Sequence, residues 1–449
     1  DLVMFYEDTG GDHWLNKTGW LSDTIPPCQW FGLTCTDGII TEINLRNNNL
    51  TGVRSIYRLG VAGFAGLTKL DIAENNLSGT VYSGVMLYFK KLEHVDISNN
   101  KFSGHANMTF SITTKYANFS HNKFSSVGFK RFNAAYETLQ VVDLSNNEID
   151  QAASEVFLNI PPNLEELILS NNAIRGAFPD PFPNLDKIRR FAIANNNING
   201  PLPDFSRATP RVRELDLSNQ RQAYDGGLTG TISADFSRLD DLLVLNLAVN
   251  SLTSIPSDLG NLGKLKVLNL SSNVISQQIP SELGKLADSL EVLDLSDNKF
   301  EDYIPSQFAS FVDRNTSVDL RGNTDITDPA PLMLCFLPKF DLANNASMCP
   351  PERNALKDFY ESAKGSDWTD NTEWLDPYET HCWWHGVKCS ALDNTIELTL
   401  INNGLSGTLS EKIADLSFLE VLDLSDNDIK GEIPTEIGLL SKLIGFRIP

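Results

Sequence analysis

The chain has 449 residues, 41% of them hydrophobic, and 58 acidic against 36 basic residues give a formal charge of −22. That charge argues against non-specific binding to nucleic acid or anionic lipid. No apolar run is long enough to cross a bilayer as a helix, so no membrane span is expected in this segment.

In chain order, residues 1–39 form a block rich in rings and turns: Phe5-Tyr6-Glu7, Gly11, Trp14, Thr18, Trp20-Leu21, Cys28, Trp30, Gly32 and Cys35. The same block returns without a gap as Phe359-Tyr360-Glu361, Gly365, Trp368, Thr372, Trp374-Leu375, Cys382, Trp384, Gly386 and Cys389. The offset is 354 residues throughout (382 − 28 = 354). Each copy stands directly before a run of repeats, so each is read as a lid over the open end of a stack. All seven tryptophans fall in these blocks, including Trp383, and large rings there are expected to cover the end of a core.

The six cysteines lie in close pairs, Cys28/Cys35, Cys335/Cys349 and Cys382/Cys389, which are expected as disulfides. His381 and His385 flank Cys382 and raise a metal alternative, but the first copy has Pro27 and Phe31 at those places. No metal and no cofactor is therefore expected. Disulfides place the chain in an oxidising compartment, outside the cytoplasm. Asn-x-Ser/Thr sequons agree with that, and N-linked glycans are expected on Asn16, Asn49, Asn76, Asn107, Asn118, Asn269 and Asn315. Asn345 also lies in a sequon but is expected to be buried.

Between the blocks the pattern L-x-x-L-x-L-x-x-N-x-L recurs, as in Leu67, Leu70, Ile72, Asn75 and Leu77, and again in Leu290, Leu293, Leu295, Asn298 and Phe300. The polar position returns thirteen times from Asn48 to Asn345, then resumes at Asn403 and Asn427. Each x-L-x-L alternates as a short strand does. Stacked copies would make a parallel sheet lining a concave side, with leucines inside. The asparagine sits where the chain leaves the strand, and its amide can satisfy backbone groups of adjacent turns. One turn cannot bury its own apolar face, so neighbours must cover it.

With its C-x-W-x-G-x-x-C blocks and L-x-G-x-I-P tails (Leu202-Pro203, Ile279-Pro280, Ile304-Pro305, Ile433-Pro434), the chain resembles the plant-type extracellular leucine-rich repeat family. The longer F-Y-E…G…W…W-L block is similar to those of algal and water-mould relatives. The resemblance implies an α/β leucine-rich repeat solenoid, right-handed, with a parallel concave sheet and few helices. Repeats 3 to 5 depart from the tail and lack Ile-Pro. The expected organisation is two tandem capped solenoids, the second incomplete. Residues 1–39 are the first N-terminal cap, 40–334 repeats 1–12, 335–349 the last repeat with a disulfide C-terminal cap, 350–394 the second cap and 395–449 the truncated start of the next solenoid.

No catalytic motif is present, so the chain is expected not to be an enzyme. Asp71, Asp96, Asp143, Asp216, Asp294, Asp319 and Asp341 fill the exposed x of L-x-L, and Ile168 and Ala192 break that column. Beside the break, residues 175–221 carry eight basic and five acidic residues, a net +3 (8 − 5) within the −22 chain. Arg189 and Arg213 fall at one strand position in consecutive repeats, and arginine forks suit carboxylate, sulfate or phosphate. The stretch Arg221–Gly227, with Tyr224, adds a loop to repeat 8. Ile168, Arg189, Arg190, Ala192, Arg213 and Tyr224 are thus the candidate ligand site, with pairing to Glu165, Glu166 and Glu214 as the alternative fate of the arginines. The expected function is a non-catalytic extracellular or cell-surface glycoprotein that binds a protein, peptide or glycan through its concave face. The alternative is a structural repeating unit of a filament, wall or adhesive matrix, self-associating end to end.

Overall fold

The computed structural model describes residues 2–449 apart from 54–56, 58, 60–63, 83, 130–136, 221–225, 315, 327–339, 342–350, 377–379 and 391–393. Cys335, Cys349, Tyr224 and Asn315 lie outside the described residues. The chain divides into two compact units, Asp1–Ile275 and Ser276–Pro449.

The first unit opens on a helix, Leu2–Asp8, and an antiparallel pair, Leu33–Thr36 with Ile39–Asn44. From Ile39–Asn44 onward, three-residue strands add in parallel: Lys69–Asp71, His94–Asp96, Tyr116–Asn118, Val141–Asp143, Glu166–Ile168, Arg190–Ala192, Glu214–Asp216, Val244–Asn246 and Val267–Asn269. The register never slips, because the middle residue of each strand (Leu70, Val95, Ala117, Val142, Leu167, Phe191, Leu215, Leu245, Leu268) is fully buried. A second set of parallel strands forms from the tails of the repeats. Its longest members, Lys101–Met108 and Lys123–Phe129, come from the tails that lack Ile-Pro. Without proline every residue there keeps an N–H for pairing, although the tail of repeat 5, also without Ile-Pro, forms only the Ala152–Arg175 bridge.

The asparagine ladder holds the turns together. Asn172 donates its Nδ2 to the carbonyls of Leu144 (3.0 Å), Leu169 (3.0 Å) and Ser170 (3.4 Å), and its Oδ1 accepts the N–H of Ile149 at 3.0 Å. Two of these partners, Leu144 and Ile149, belong to the preceding repeat. Asn75, Asn100, Asn122, Asn147, Asn196 and Asn250 repeat the arrangement. Gln220 substitutes in it, donating Nε2 to Ile193 O at 2.8 Å and accepting Ile198 N–H at 3.1 Å.

The residue just before each ladder amide is left-handed. Asn47, Glu74, Asn99, His121, Asn146, Asn171, Asn195, Asn219, Val249, Ser272 and Asp297 all have φ between 50° and 60°. Asn tolerates that region, which explains the recurrent Asn-Asn pairs. Val249 does not, since its branched Cβ crowds the backbone.

The expectation of an exposed acidic column needs correction. Asp143 Oδ1 accepts both the N–H and the hydroxyl of Ser145, at 2.9 and 2.7 Å, and Asp216 does the same with Ser218. The column is therefore half-buried and bound to its own strand end. Asp71 and Asp96 are buried outright, 6% and 4% exposed, beneath Arg46. Ala192, expected to be exposed, is also buried, being small and set between the strands of Ile168 and Asp216.

In the second unit Val292–Asp294, Ser317–Asp319 and Phe340–Asp341 pair in parallel. The helix Pro351–Ser362 precedes a cap in which Val387–Cys389 runs antiparallel to Thr395–Thr399, followed in parallel by Val421–Asp423 and Gly445–Arg447. The two caps are built alike. Disulfides close Cys28–Cys35 and Cys382–Cys389, with Cα separations of 5.5 and 5.4 Å. Trp14 meets Trp20 at 4.8 Å, and Trp368 meets Trp374 at 4.9 Å, both edge to face. Gly32 and Gly386, both at φ 79°, are required, since a Cβ there would strike the carbonyl oxygen of Asn44 or Thr399. One tryptophan breaks the expectation: Trp383 is 70% exposed. It takes the place of Gln29 at the exposed end of a 3-10 turn, while Trp384 fills the buried place of Trp30.

Replacing Val249 with Asn is expected to stabilise the chain by about 1 kcal/mol. Replacing Asn196 with Leu, which orphans several buried backbone groups, is expected to cost at least about 2 kcal/mol. Urea unfolding followed by circular dichroism measures both.

Candidate functional site

The register places the sequence-predicted residues on neighbouring strands of the concave sheet. Arg190 lies between Glu166 and Glu214, and Ala192 between Ile168 and Asp216. The N–H of Arg213 donates to Arg189 O at 2.8 Å, so these two arginines are neighbours. Their charges are spent unequally. Arg189 reaches Glu165 at 3.7 Å and Arg190 reaches Glu214 at 3.1 Å, all four side chains being about half-exposed. Such pairs contribute little to stability. Arg213 makes no ion pair within 4 Å among the described residues and is exposed. Ile168 is half-buried. It cannot accept the hydrogen bonds that Asp143 accepts, and Ser170 instead accepts Ala194 N–H at 3.1 Å. The result is a short apolar floor, Ile168 with Ala192 and Ala194, rimmed by paired and unpaired arginines.

A second concave feature was missed from sequence. Arg46 joins three successive repeats: Nε to Asp71 at 3.1 Å, Nη1 to Glu74 at 2.8 Å and Nη2 to Asp96 at 2.5 Å. Beside it, His94 and Tyr116 stack with ring centroids 4.1 Å apart and planes 2° from parallel. Burial, then the nearby Lys69 ammonium, push the His94 imidazole below its ordinary value. Burial, then Asp96, push the Tyr116 phenol up. The available signal was that His94 and Tyr116 share the place of Glu166 and Arg190, first in their strands.

On the outer side of the same unit, Pro179, Pro181 and Pro183 lack N–H groups and break up the tail of repeat 6. A cleft of about 840 Å³ opens there, floored by Phe178 and Phe182 and edged by Asp204 and Arg207. Hydrogen bonds from Ser206 Oγ and Arg207 N–H hold the Asp204 carboxyl below its usual range.

The sequons separate by geometry. Asn76 is exposed, and Asn16 is half-exposed. Asn118 and Asn269 use Oδ1 to accept from Ser120 and Ser271, and both are half-buried. Asn49 spends its Nδ2 on His13 O at 2.9 Å. Asn107, expected to carry a glycan, is only 6% exposed, with Oδ1 bound to the Thr109 hydroxyl.

With this geometry in place, the relationship to known proteins is plain. A leucine-rich repeat family model matches residues 137–198, and a second matches 264–286, 289–311 and 418–440. The chain is 31% identical over 161 residues to Receptor-like protein kinase BRI1-like 3 of Arabidopsis thaliana, covering 34% of this chain and 13% of that protein. It is 27% identical over 422 residues to Receptor-like kinase TMK2 of the same plant, covering 88% and 39%. The chain thus spans less than half the length of these relatives. Among solved structures, the ectodomain of the Arabidopsis receptor kinase HAESA, in complex with a peptide hormone, aligns with a TM-score of 0.57 at 21% identity, over 94% of this chain and 68% of that one. A leucine-rich repeat protein of Leptospira interrogans aligns at 0.51 and 22%, over 90% and 83%. The fold is a leucine-rich repeat solenoid. In sequence the chain is similar to plant receptor-like proteins.

Arg46→Met would leave Asp71 and Asp96 buried without their partner, and a loss of about 1–3 kcal/mol is expected in chemical denaturation. His94 has a folded pKa below its unfolded value, so the unfolded state takes up protons first. Its contribution is present above about pH 6.5 and is lost as pH falls towards the lowered folded value. His94→Gln should therefore flatten the stability profile over that window. Intact mass before and after glycosidase should show Asn76 occupied and Asn107 bare.

Proposed function

We propose that this chain is a non-catalytic extracellular module that binds an anionic peptide or protein segment through the concave face of its first unit. The observation that carries this reading is the break in the Asp/Asn column at Ile168 and Ala192, with Arg213, which has no ion pair within 4 Å among the described residues, at its rim. Elsewhere in the first unit the concave strands end on acceptors that serve their own turns, whereas here an apolar floor and an exposed guanidinium coincide. A carboxylate on the Arg213 fork, with an apolar side chain on Ile168, is the complementary ligand. Similarity to receptor ectodomains, one solved with a peptide hormone, supports the reading. We assign residues 1–349 to one capped solenoid and 350–449 to a second.

The test is calorimetric titration of the whole chain with acidic peptides ending in a free carboxylate. Arg213→Glu is expected to weaken binding at least tenfold, while Arg175→Glu, whose arginine is held by Asp150 at 3.0 Å, should not. Equal affinity in both variants would remove the site. The repeated cap favours a second reading, a unit of a tandem surface array. Electron microscopy of native material would support it with end-to-end filaments and remove it with isolated particles.

A further inference from the structure

The two caps match in ring packing, in glycine geometry and in their disulfides, yet differ at the turn beside the disulfide. Where the first has Pro27, the second has His381, which begins the turn His381–Trp383 and is only 4% exposed. Its Nε2 lies 3.9 Å from Cys382 Sγ, and the ligand atoms of His381, Cys382 and Cys389 all fall within 4.8 Å of one another. Glu352, also buried, brings Oε2 to 3.7 Å from the same Nε2 and is oriented by the N–H of Thr395. His385 takes no part, because its Nδ1 faces Asp370 at 3.2 Å. Both cysteines are half-buried rather than sealed in.

We propose that the second cap is a redox-gated site for a divalent cation of the zinc class, and that the first cap is not. In the oxidised chain the sulfurs are bonded to each other and offer no thiolate. A dithiol reductant supplies two electrons and two protons, breaks the Cys382–Cys389 bond and itself becomes a disulfide. Zn²⁺ then displaces both thiol protons and is held by the two thiolates and His381 Nε2, with a water as fourth ligand. Sulfur and imidazole donors suit zinc, at about 2.0–2.3 Å from the metal. The small outward movement of the two sulfurs needed to reach it is released by the broken bond. A coordinate staple then replaces the covalent one and keeps this lid closed when the first would loosen.

The experiment uses the full chain with Cys335→Ser and Cys349→Ser, so that only the two cap pairs remain. It is reduced anaerobically with a phosphine and titrated with Co²⁺ as a spectroscopic stand-in for Zn²⁺. The proposal expects one equivalent with thiolate-to-cobalt charge transfer, none in the oxidised chain, and at least tenfold weaker binding in His381→Ala. Because that variant can also disturb the cap, Pro27→His supplies an independent arm and should create a second equivalent. Two equivalents in the unmodified reduced chain, none at all, or no gain from Pro27→His would each overturn it.

Discussion

Everything in this fold depends on one buried amide per turn. Turning away from the strand leaves carbonyls and N–H groups facing inward, where each unpaired group costs about 1–3 kcal/mol. Asparagine answers with donor and acceptor on one short side chain, and leucines can then close around a fully satisfied backbone. Gln220 shows that the chemistry, and not the side-chain length, is what the position demands.

Most of the architecture was legible because it repeats. Strand position, buried leucines and ladder amides follow from a spacing that an ordinary globular chain does not keep. What escaped was set by pairing between repeats. The aspartate column reads as exposed from alternation alone. Its burial depends on the serine two residues later, as with Asp143 and Ser145, and on Arg46 reaching across three turns. Ala192 was misjudged for a similar reason, since its exposure is decided by Ile168 and Asp216 on either side. The three arginines were grouped from sequence, yet sequence could not divide Arg189 and Arg190, which reach glutamates, from Arg213, which makes no ion pair within 4 Å among the described residues.

The repeated cap shows how far one scaffold tolerates change. The ring cluster is closely kept, with Tyr6–Trp20 at 5.8 Å and Tyr360–Trp374 at 5.7 Å, and Phe5–Trp14 at 6.0 Å against Phe359–Trp368 at 5.7 Å. At the turn beside the disulfide the copies diverge freely, so that Gln29 becomes an exposed Trp383 and Pro27 a buried His381. Packing constrains the first region. Only the sulfur bridge constrains the second.

The ladder also has a direction. Asn172 grips the turn before it and none after it, and the first amide of each run must therefore grip a lid. Asn48 exchanges bonds with both backbone groups of Asn16, at 2.6 and 2.8 Å, and Asn403 does so with Asp370 at 2.7 and 2.8 Å. An N-terminal lid must thus supply a donor and an acceptor at one residue, whereas a last turn leaves N–H groups that would otherwise donate to the next turn, as Leu169 does to Ala192 at 2.7 Å. The solenoid is a vector. Repeats can be inserted or deleted anywhere along it, but a lid made for its head will not fit its tail.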